Sequence, residues 1–192
     1  MNHESKTKIK IMAEKNNPLK ICNTTIYPGE RITLALPTPE LYTCIPMHIP
    51  IHVIHGKKAG PCLLVCATMH GDEMNGIEII QSLLNTNKLK SIYGTLIAIP
   101  VVNVYGLLNH SRKLPDQRDL ENNFPGSEKG TFAERLAYLL NQNIFNLATH
   151  FIDIHTGEPH QDKFPQIHVD TDQSHSLELA SVFQTPVIVH DD

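Results

Sequence analysis

Three side chains of the kinds that bind metal ions stand just after apolar stretches of the sequence. The stretch CLLVCAT ends shortly before His70, with Glu73 three residues further on, and the stretch FIDI ends directly before His155. Near a helix start, positions three apart point the same way, so His70 and Glu73 could bind one ion together. Two histidines and a carboxylate with an open fourth position for water are typical of catalytic zinc. The pattern predicts a Zn²⁺ site formed by His70, Glu73 and His155.

Each of these signals is weak when taken singly. A His and a Glu three residues apart occur near many helix starts, and a single His at a strand end is more often a hydrogen-bonded structural residue than a ligand. Here a predicted strand precedes each histidine and a glycine follows it closely, and this combination favours the metal site. Asp153, two residues before His155, faces the same side of its strand and is a candidate polar group behind the ligand.

The apolar stretches themselves predict the elements that hold these residues. Four are nearly continuous and rich in β-branched residues, as in strands buried on both faces: CLLVCAT, TLIAIPVV, FIDI and the shorter 187–189. Apolar residues at helical intervals predict helices over 74–84, 131–147 and near 177–183, and Thr131 with Glu134 forms a capping box. Alternating strands and helices predict an α/β fold with a mixed, largely parallel central sheet flanked by helices. Ligands of such sheets bind beyond the carboxyl ends of the strands, where both histidines stand.

A further strand is predicted in the segment MHIPIHVIH, which alternates along its length. The alternation places Met47 and the apolar residues after it on a buried face, and His48 and His52 on a solvent face. Those two histidines are therefore not expected to bind metal. Pro46 and Pro50 predict that the strand lies at a sheet edge, because proline cannot donate a hydrogen bond to a neighbouring strand.

Composition argues against several classes of protein. The chain of 192 residues has a formal net charge of −4, and its basic residues do not gather in runs, which argues against nucleic-acid binding. The N-terminus lacks the apolar core of a signal peptide, and no segment approaches the ~18 apolar residues of a membrane span. We therefore expect a cytoplasmic protein that binds a small molecule and neither nucleic acid nor membrane; assembly into a homo-oligomer stays open.

Three motifs resemble, in order and spacing, those of the succinylglutamate desuccinylase/aspartoacylase family, whose members are relatives of the zinc carboxypeptidases. The motifs are HGDEMNG, SRKLPDQRDLENNFPG and DIHTG, and the segments GTLIAIPVVN and FPGSEKGTFAERLA add to the similarity. The resemblance implies a zinc-carboxypeptidase-like fold and Zn²⁺ held by His70, Glu73 and His155. It also implies an amidohydrolase that removes an acyl group from a small acylated amino acid.

The resemblance suggests roles for residues of the second motif. Arg112 would lie near the scissile carbonyl and act in catalysis by stabilising the oxyanion, with an exposed loop arginine as the alternative. Relatives typically have Asn-Arg where this chain has Glu121-Asn122, so an acidic substrate is disfavoured. Asn122 is expected to contact the substrate. Arg118 could replace the missing cation or, beside Asp116 and Asp119, simply hold the loop in shape. Alternatively, the substrate could be neutral or cationic at that end.

The chain is expected to divide into two parts. Residues 1–18 are expected to form a flexible lead-in, and the resemblance implies that 19–192 are the N-terminal portion of a zinc hydrolase catalytic domain. The general base, the last part of that domain and a small β domain are expected beyond residue 192. Two alternatives stay open: a zinc carboxypeptidase acting on short peptides, and a zinc-binding protein that has lost catalysis and senses a ligand.

Overall fold

The computed structural model describes residues 14–41, 46–157, 163–170 and 176–191. Residues 1–13 of the predicted lead-in lie outside this range. The strands are β1 (Leu19–Ile21), β2 (Thr24–Ile26), β3 (Arg31–Pro37), β4 (His48–His55), β5 (Lys58–Ala67), β6 (Tyr93–Ile99), β7 (His150–Ile154), β8 (Gln166–Asp170) and β9 (Val187–Asp191). The α-helices are α1 (Asn75–Asn85), α2 (Val104–Asn109), α3 (Phe132–Asn143) and α4 (Ser176–Val182). Short 3₁₀ helices occupy Asn87–Ser91, Glu121–Asn123 and Phe145–Leu147.

Five strands form the central sheet in the order β3-β4-β6-β5-β7. Strands β6 and β7 both run parallel to β5, whereas β3 with β4 and β4 with β6 are antiparallel. The sheet is therefore mixed, as the sequence predicts, and its parallel part consists of β6, β5 and β7. The carboxyl ends of these three strands lie at one edge of the sheet, which is where such folds bind ligands.

The prediction that the MHIPIHVIH strand lies at the sheet edge is wrong, because β4 lies between β3 and β6. The pairing with β6 covers only His52 to His55. Pro50 pairs with Ala35 of β3 and has no strand on its other side among the described residues, so its missing N–H leaves no ladder position empty. The alternation itself is confirmed by three fully buried side chains: Ile49, Ile51 and Val53.

Helices cover both faces of the sheet. Successive residues of β5 and β6 point to opposite faces, so alternate residues enter two different cores. One core joins Leu64 and Cys66 of β5 to the buried side of α3. The other joins Val65 and Ala67 to Ile80 of α1. Both faces are thus buried along the last four residues of β5, 64–67, and this burial fixes the end of the strand that leads into the predicted site.

The capping box at α3 is confirmed, since the Thr131 hydroxyl accepts from the Glu134 N–H and the Glu134 carboxylate accepts from the Thr131 N–H. The helix ends at Asn143, earlier than the prediction of 131–147. Ile144 leaves helical backbone geometry (φ −138°, ψ −57°), and the chain continues as a 3₁₀ helix. Apolar spacing alone does not report this break, because a 3₁₀ helix can keep the same side chains in contact with the core.

Two strands predicted to be buried on both faces are not. Strand β7 lies at the edge of the central sheet, and its Phe151 is 47% exposed. Strand β9 pairs in parallel with β8 in a separate two-stranded sheet, where Val187 and Ile188 are more than one-third exposed. The described chain groups into two compact units, one ending at Thr156 and one beginning at Gly157 that contains β8, α4 and β9. Across the described residues, no helix has the length and apolar character needed to cross a bilayer.

Candidate metal centre

The turn after β5 places His70 and Glu73 together. Thr68 ends the strand in left-handed backbone geometry (φ 55°), a conformation that is costly for a β-branched residue. Its hydroxyl donates to the carbonyl of Glu73 (3.3 Å) and closes the turn. Gly71 lies against the backbone of Gly106 in α2, where any Cβ would overlap the main chain. The turn is therefore closed by the Thr68 hydroxyl, and it packs against the backbone of α2 at a distance that only glycine permits.

The register of β7 against β5 brings His155 to the same place. Ile154, the last residue of β7, pairs in parallel with Ala67, the last residue of β5. The two chains therefore leave the sheet side by side at the same edge. His155 is the first residue beyond β7, so the sheet itself delivers it next to the turn that carries His70.

The Glu73 carboxylate lies between the two histidines. Its Oε1 is 3.0 Å from Nδ1 of His70, and its Oε2 is 3.1 Å from Nδ1 of His155. The Thr156 N–H also donates to Oε2 (2.9 Å). The side chains of His70 and Glu73 are only 2% and 6% exposed, while that of His155 is 36% exposed. The cluster is closed on the protein side and open to solvent at His155.

This donor set fits a zinc ion. One ligand atom from each of His70, Glu73 and His155 lies within 4.8 Å of the others. Ligands about 2.0–2.2 Å from a tetrahedral zinc are about 3.5 Å apart, so the separations need little change to surround one ion. Two imidazole nitrogens with one carboxylate are also the ligand chemistry of catalytic zinc. The role of the three residues as ligands stays a prediction that this geometry supports.

Asp153 fixes the ring of His155 from behind. The Nε2–H of His155 donates to Oδ2 of Asp153 (3.0 Å), which leaves Nδ1 directed at Glu73. This hydrogen bond, with the negative charges of Asp153, Glu73 and Glu121, outweighs burial and raises the pKa of His155 to about 9. Without a metal the ring therefore carries both protons at neutral pH, and an ion that binds Nδ1 must displace one of them.

A buried thiol holds Asp153 in turn. Cys66 is fully buried, and its Sγ donates to Oδ1 of Asp153 (3.1 Å). Burial, followed by the charge of Asp153 and this hydrogen bond, raises the pKa of the Cys66 thiol well above its usual range. The thiol therefore stays protonated and acts as a donor. The sequence predicted Asp153 as a polar group behind the ligand, but it gave no signal for the contact with Cys66.

Arg112 reaches the centre from the loop after α2. Its Nη1 lies 3.1 Å from Nδ1 of His70 and 3.8 Å from Oε1 of Glu73. Its Nε donates to Oδ2 of Asp119 (2.7 Å). Nδ1 of His70 can accept from Arg112 only when it carries no proton, and it can donate to Oε1 of Glu73, 3.0 Å away, only when it does, so the two contacts require opposite tautomers of the ring. A metal at Nδ1 and the Arg112 hydrogen bond would use the same lone pair, so the two exclude each other.

The loop that carries Arg112 is anchored along its length. Nδ2 of Asn103, a fully buried residue at the start of α2, donates to the Arg112 carbonyl (3.3 Å). Leu114 and Leu120 are buried in the core beneath the loop. The Asp116 carboxylate accepts the Ala133 N–H at the start of α3 (2.9 Å). These contacts make the loop a fixed part of the site wall.

Asp119 and Glu121 also lie against His70, a contact that the sequence patterns do not predict. Oδ1 of Asp119 and Oε2 of Glu121 are 3.3 and 3.1 Å from Nε2 of His70. Neither contact has hydrogen-bond geometry, so the buried Nε2 has no hydrogen-bond partner in the described part of the chain. The available signal was the position of two carboxylates in the same loop as Arg112, on either side of Leu120, which is fully buried.

The structure does not bring Arg118 and Asn122 to the ligand cluster. Arg118 is 54% exposed, and its nearest ion-pair partner in the described residues is Asp116 at 4.0 Å. Asn122 is exposed and lines a small depression of about 250 Å³ with Phe124 and Glu134. Their roles in substrate binding stay predictions.

A mixed sheet with a histidine-glutamate-histidine cluster beyond its parallel strands defines a protein of the zinc-carboxypeptidase-like class. Residues 59–192 match the model of the succinylglutamate desuccinylase/aspartoacylase catalytic domain, and the chain belongs to this family. The resemblance identified from the three sequence motifs is thereby confirmed.

Similar proteins include an N-alpha-acetyl-L-2,4-diaminobutyric acid deacetylase of Halomonas elongata, 29% identical over 147 residues that cover 73% of this chain and 43% of that enzyme. A succinylglutamate desuccinylase/aspartoacylase structure from Rhodobacter sphaeroides is 28% identical with a TM-score of 0.72, covering 83% of this chain and 51% of its own. A succinylglutamate desuccinylase structure from Silicibacter sp. TM1040 is 26% identical with a TM-score of 0.73, covering 92% and 56%. The chain thus spans about half the length of these relatives.

Proposed function

We propose that this protein is a zinc-dependent hydrolase that cleaves the amide bond of a small N-acyl amino acid. The observation that carries the proposal is the gathering of His70, Glu73 and His155 around one point at the carboxyl ends of β5 and β7. Membership of the family supports hydrolysis of an amide bond. The name of the Halomonas relative, a deacetylase of an acetylated diaminobutyric acid, supports a single acylated amino acid as substrate.

The chain's own residues would divide the work between them. When bound, zinc would lower the pKa of a water ligand to about 7 and polarise the amide carbonyl. His70, Glu73 and His155 would hold the ion, with Asp153 keeping the His155 ring in its binding orientation. Once Nδ1 of His70 holds the ion, it could not accept from Arg112, which would become free to turn toward the substrate. Its forked, permanently charged donors would then stabilise the oxyanion that develops on the carbonyl.

The test is a substrate panel with metal control. The zinc-loaded protein, in a form that includes the general base expected beyond residue 192, is given N-acetyl, N-formyl and N-succinyl amino acids, together with dipeptides and tripeptides, and release of free amine is measured. We expect turnover of acyl amino acids that disappears when a chelator removes zinc and returns when zinc is added back. Faster turnover of peptides would replace this proposal with the carboxypeptidase alternative.

A second candidate, a ligand-binding protein without catalysis, is favoured by the contacts that Arg112 makes with two carboxylates. Both Asp119 and Glu121 contact the guanidinium of Arg112, at 2.7 and 3.5 Å, and so compete with any oxyanion for its charge. Calorimetric titration of the same panel separates the candidates. Tight binding of an acyl amino acid with no amine released over many hours would support the binding protein and refute the hydrolase.

A further inference from the structure

Carboxylates outnumber cationic side chains around the proposed zinc position. Four of them contact His70, His155 or Arg112: Glu73, Asp119, Glu121 and Asp153. Arg112 is the one arginine or lysine in ion-pair contact with this group among the described residues. A divalent zinc ion and Arg112 together offset three of the four negative charges. The site therefore keeps a negative character even when it holds its metal.

Exposure singles out Glu121 as the carboxylate that an incoming ligand meets. The side chains of Glu73, Asp119 and Asp153 are 6%, 15% and 15% exposed, and each has a hydrogen bond that holds it in the wall of the site. The Glu121 side chain is 49% exposed. Its Oε2 lies 3.1 Å from Nε2 of His70 and 3.5 Å from Nη2 of Arg112, so it stands at the mouth of the site next to the metal ligands.

We infer that Glu121 selects substrates that carry a cationic group beyond the scissile amide and disfavours those that carry a second carboxylate there. The inference rests on the proposed function, because it assumes that an N-acyl amino acid is the substrate. A cation within a few ångströms of this carboxylate is attracted, and an anion is repelled, by the one negative charge that remains after zinc and Arg112 offset three of the four. Half-exposure keeps each effect moderate through solvent screening.

Three acetylated amino acids of similar size test the inference: Nα-acetyl-L-ornithine, Nα-acetyl-L-norvaline and Nα-acetyl-L-glutamate. For the same zinc-loaded form that includes the expected general base, we expect kcat/KM to fall in that order. In Glu121→Gln the advantage of the ornithine compound over the norvaline compound should shrink by about fivefold, the effect of one half-exposed ion pair. Glu128→Gln, an exposed loop residue, is the matched control and should keep the wild-type order. Equal ratios in wild type and Glu121→Gln, or no preference in wild type, would overturn the inference.

Two further measurements keep the result independent of turnover and of the variant. Calorimetric binding of L-ornithine and L-norvaline, with zinc content checked in each protein, reports charge selection even if no substrate is hydrolysed. Selective ornithine binding without hydrolysis would refute the proposed function and leave the charge selection standing. Hydrolysis of all three compounds at equal rates would support the proposed function and refute the charge selection.

Raising ionic strength from about 20 to 500 mM should reduce the wild-type preference for the ornithine compound, because salt screens a half-exposed pair. An unchanged preference would count against Glu121.

Discussion

The two halves of the candidate site are built by different means. The half that carries His70, Glu73 and His155 grows from strands β5 and β7, and their parallel pairing decides where these side chains meet. The half between α2 and α3 carries Arg112 and Glu121 on a loop. That loop is held by buried leucines, a capping carboxylate and hydrogen bonds to single side chains. The strand half depends on the register of a buried sheet, and the loop half on a few local contacts.

This difference indicates a division of labour. A metal ion requires ligands placed to within a few tenths of an ångström, and a sheet core that is dry on both sides of β5 resists such displacement. Charge selection tolerates looser placement, because Coulomb attraction changes slowly with distance. The strand half is therefore suited to holding the metal, and the loop half to setting the rate and the preferred substrate.

The largest expected effect breaks the strand half. In His155→Ala the cluster loses an imidazole, and in His70→Ala it loses the buried one, so neither variant keeps three protein ligands. We expect each to drop from about one zinc per chain, as for a three-ligand catalytic site, to a small residual fraction after gel filtration, measured by elemental analysis.

His52→Ala is the matched control for this loss. His52 lies on β4, where its Nδ1 is hydrogen-bonded to the Thr33 hydroxyl and not to the cluster. Its variant should retain zinc at the wild-type level. A full complement of zinc in His155→Ala would contradict the ligand assignment, and with it the division between the two halves.

The strand half was also the part that the sequence predicted best. Strand, predicted ligand and glycine follow one another within a few residues at both His70 and His155, so local pattern and edge-of-sheet geometry suffice to bring His70, Glu73 and His155 together. Errors concerned position within the sheet. Pro50 pointed to an edge strand, but β4 is interior and only its second half pairs with β6. Sequence shows that a proline needs an unpaired side, and it does not show how far the neighbouring strand extends.

The loop half was predicted only in part, for a physical reason. Arg112 came from the family resemblance, while Asp119 and Glu121 were missed as neighbours of His70, more than 45 positions away along the chain. Their placement depends on Leu114 and Leu120 entering the core and on Asp116 binding the start of α3. Such contacts join segments without any regular repeat, so no periodicity reports them. Arg118, six residues after Arg112, contacts Asp116 and not the cluster, and no sequence pattern separates the two arginines.

The next largest effect tests the loop half. Arg112→Ala removes the donor proposed to stabilise the oxyanion and leaves all three metal ligands intact. We expect zinc content to stay at the wild-type level and kcat to fall by about 10²–10³, as for loss of one oxyanion donor. Arg112→Lys should recover little of this, because lysine lacks the fork. Steady-state kinetics and elemental analysis on the same preparations measure both quantities.

Arg118→Ala is the comparison for this prediction, since it removes an arginine from the same loop that pairs only with Asp116 in the described structure. Its predicted role in substrate binding implies a higher KM with kcat nearly unchanged. If Arg112→Ala lost its zinc, or if the two arginine variants behaved alike, the loop could not be separated from the metal-holding half.

The smallest expected effect concerns the residues that orient His155, and it compares how much Asp153 and Cys66 each contribute to metal affinity. Asp153→Asn keeps the size of the side chain but weakens its hydrogen bond to Nε2 of His155, which fixes the ring for binding through Nδ1. Loss of such a partner typically lowers metal affinity by about 10–100-fold. Cys66→Ala acts one contact further out, through its hydrogen bond to Oδ1 of Asp153, and should lower affinity less. Competition with a chromophoric chelator measures both affinities. The affinity is expected to fall in the order wild type, Cys66→Ala, Asp153→Asn. An affinity of Cys66→Ala below that of Asp153→Asn would mean that the thiol stabilises the sheet around β5 and not the Asp153 carboxylate. A contribution that acts through Asp153 cannot exceed that of Asp153 itself.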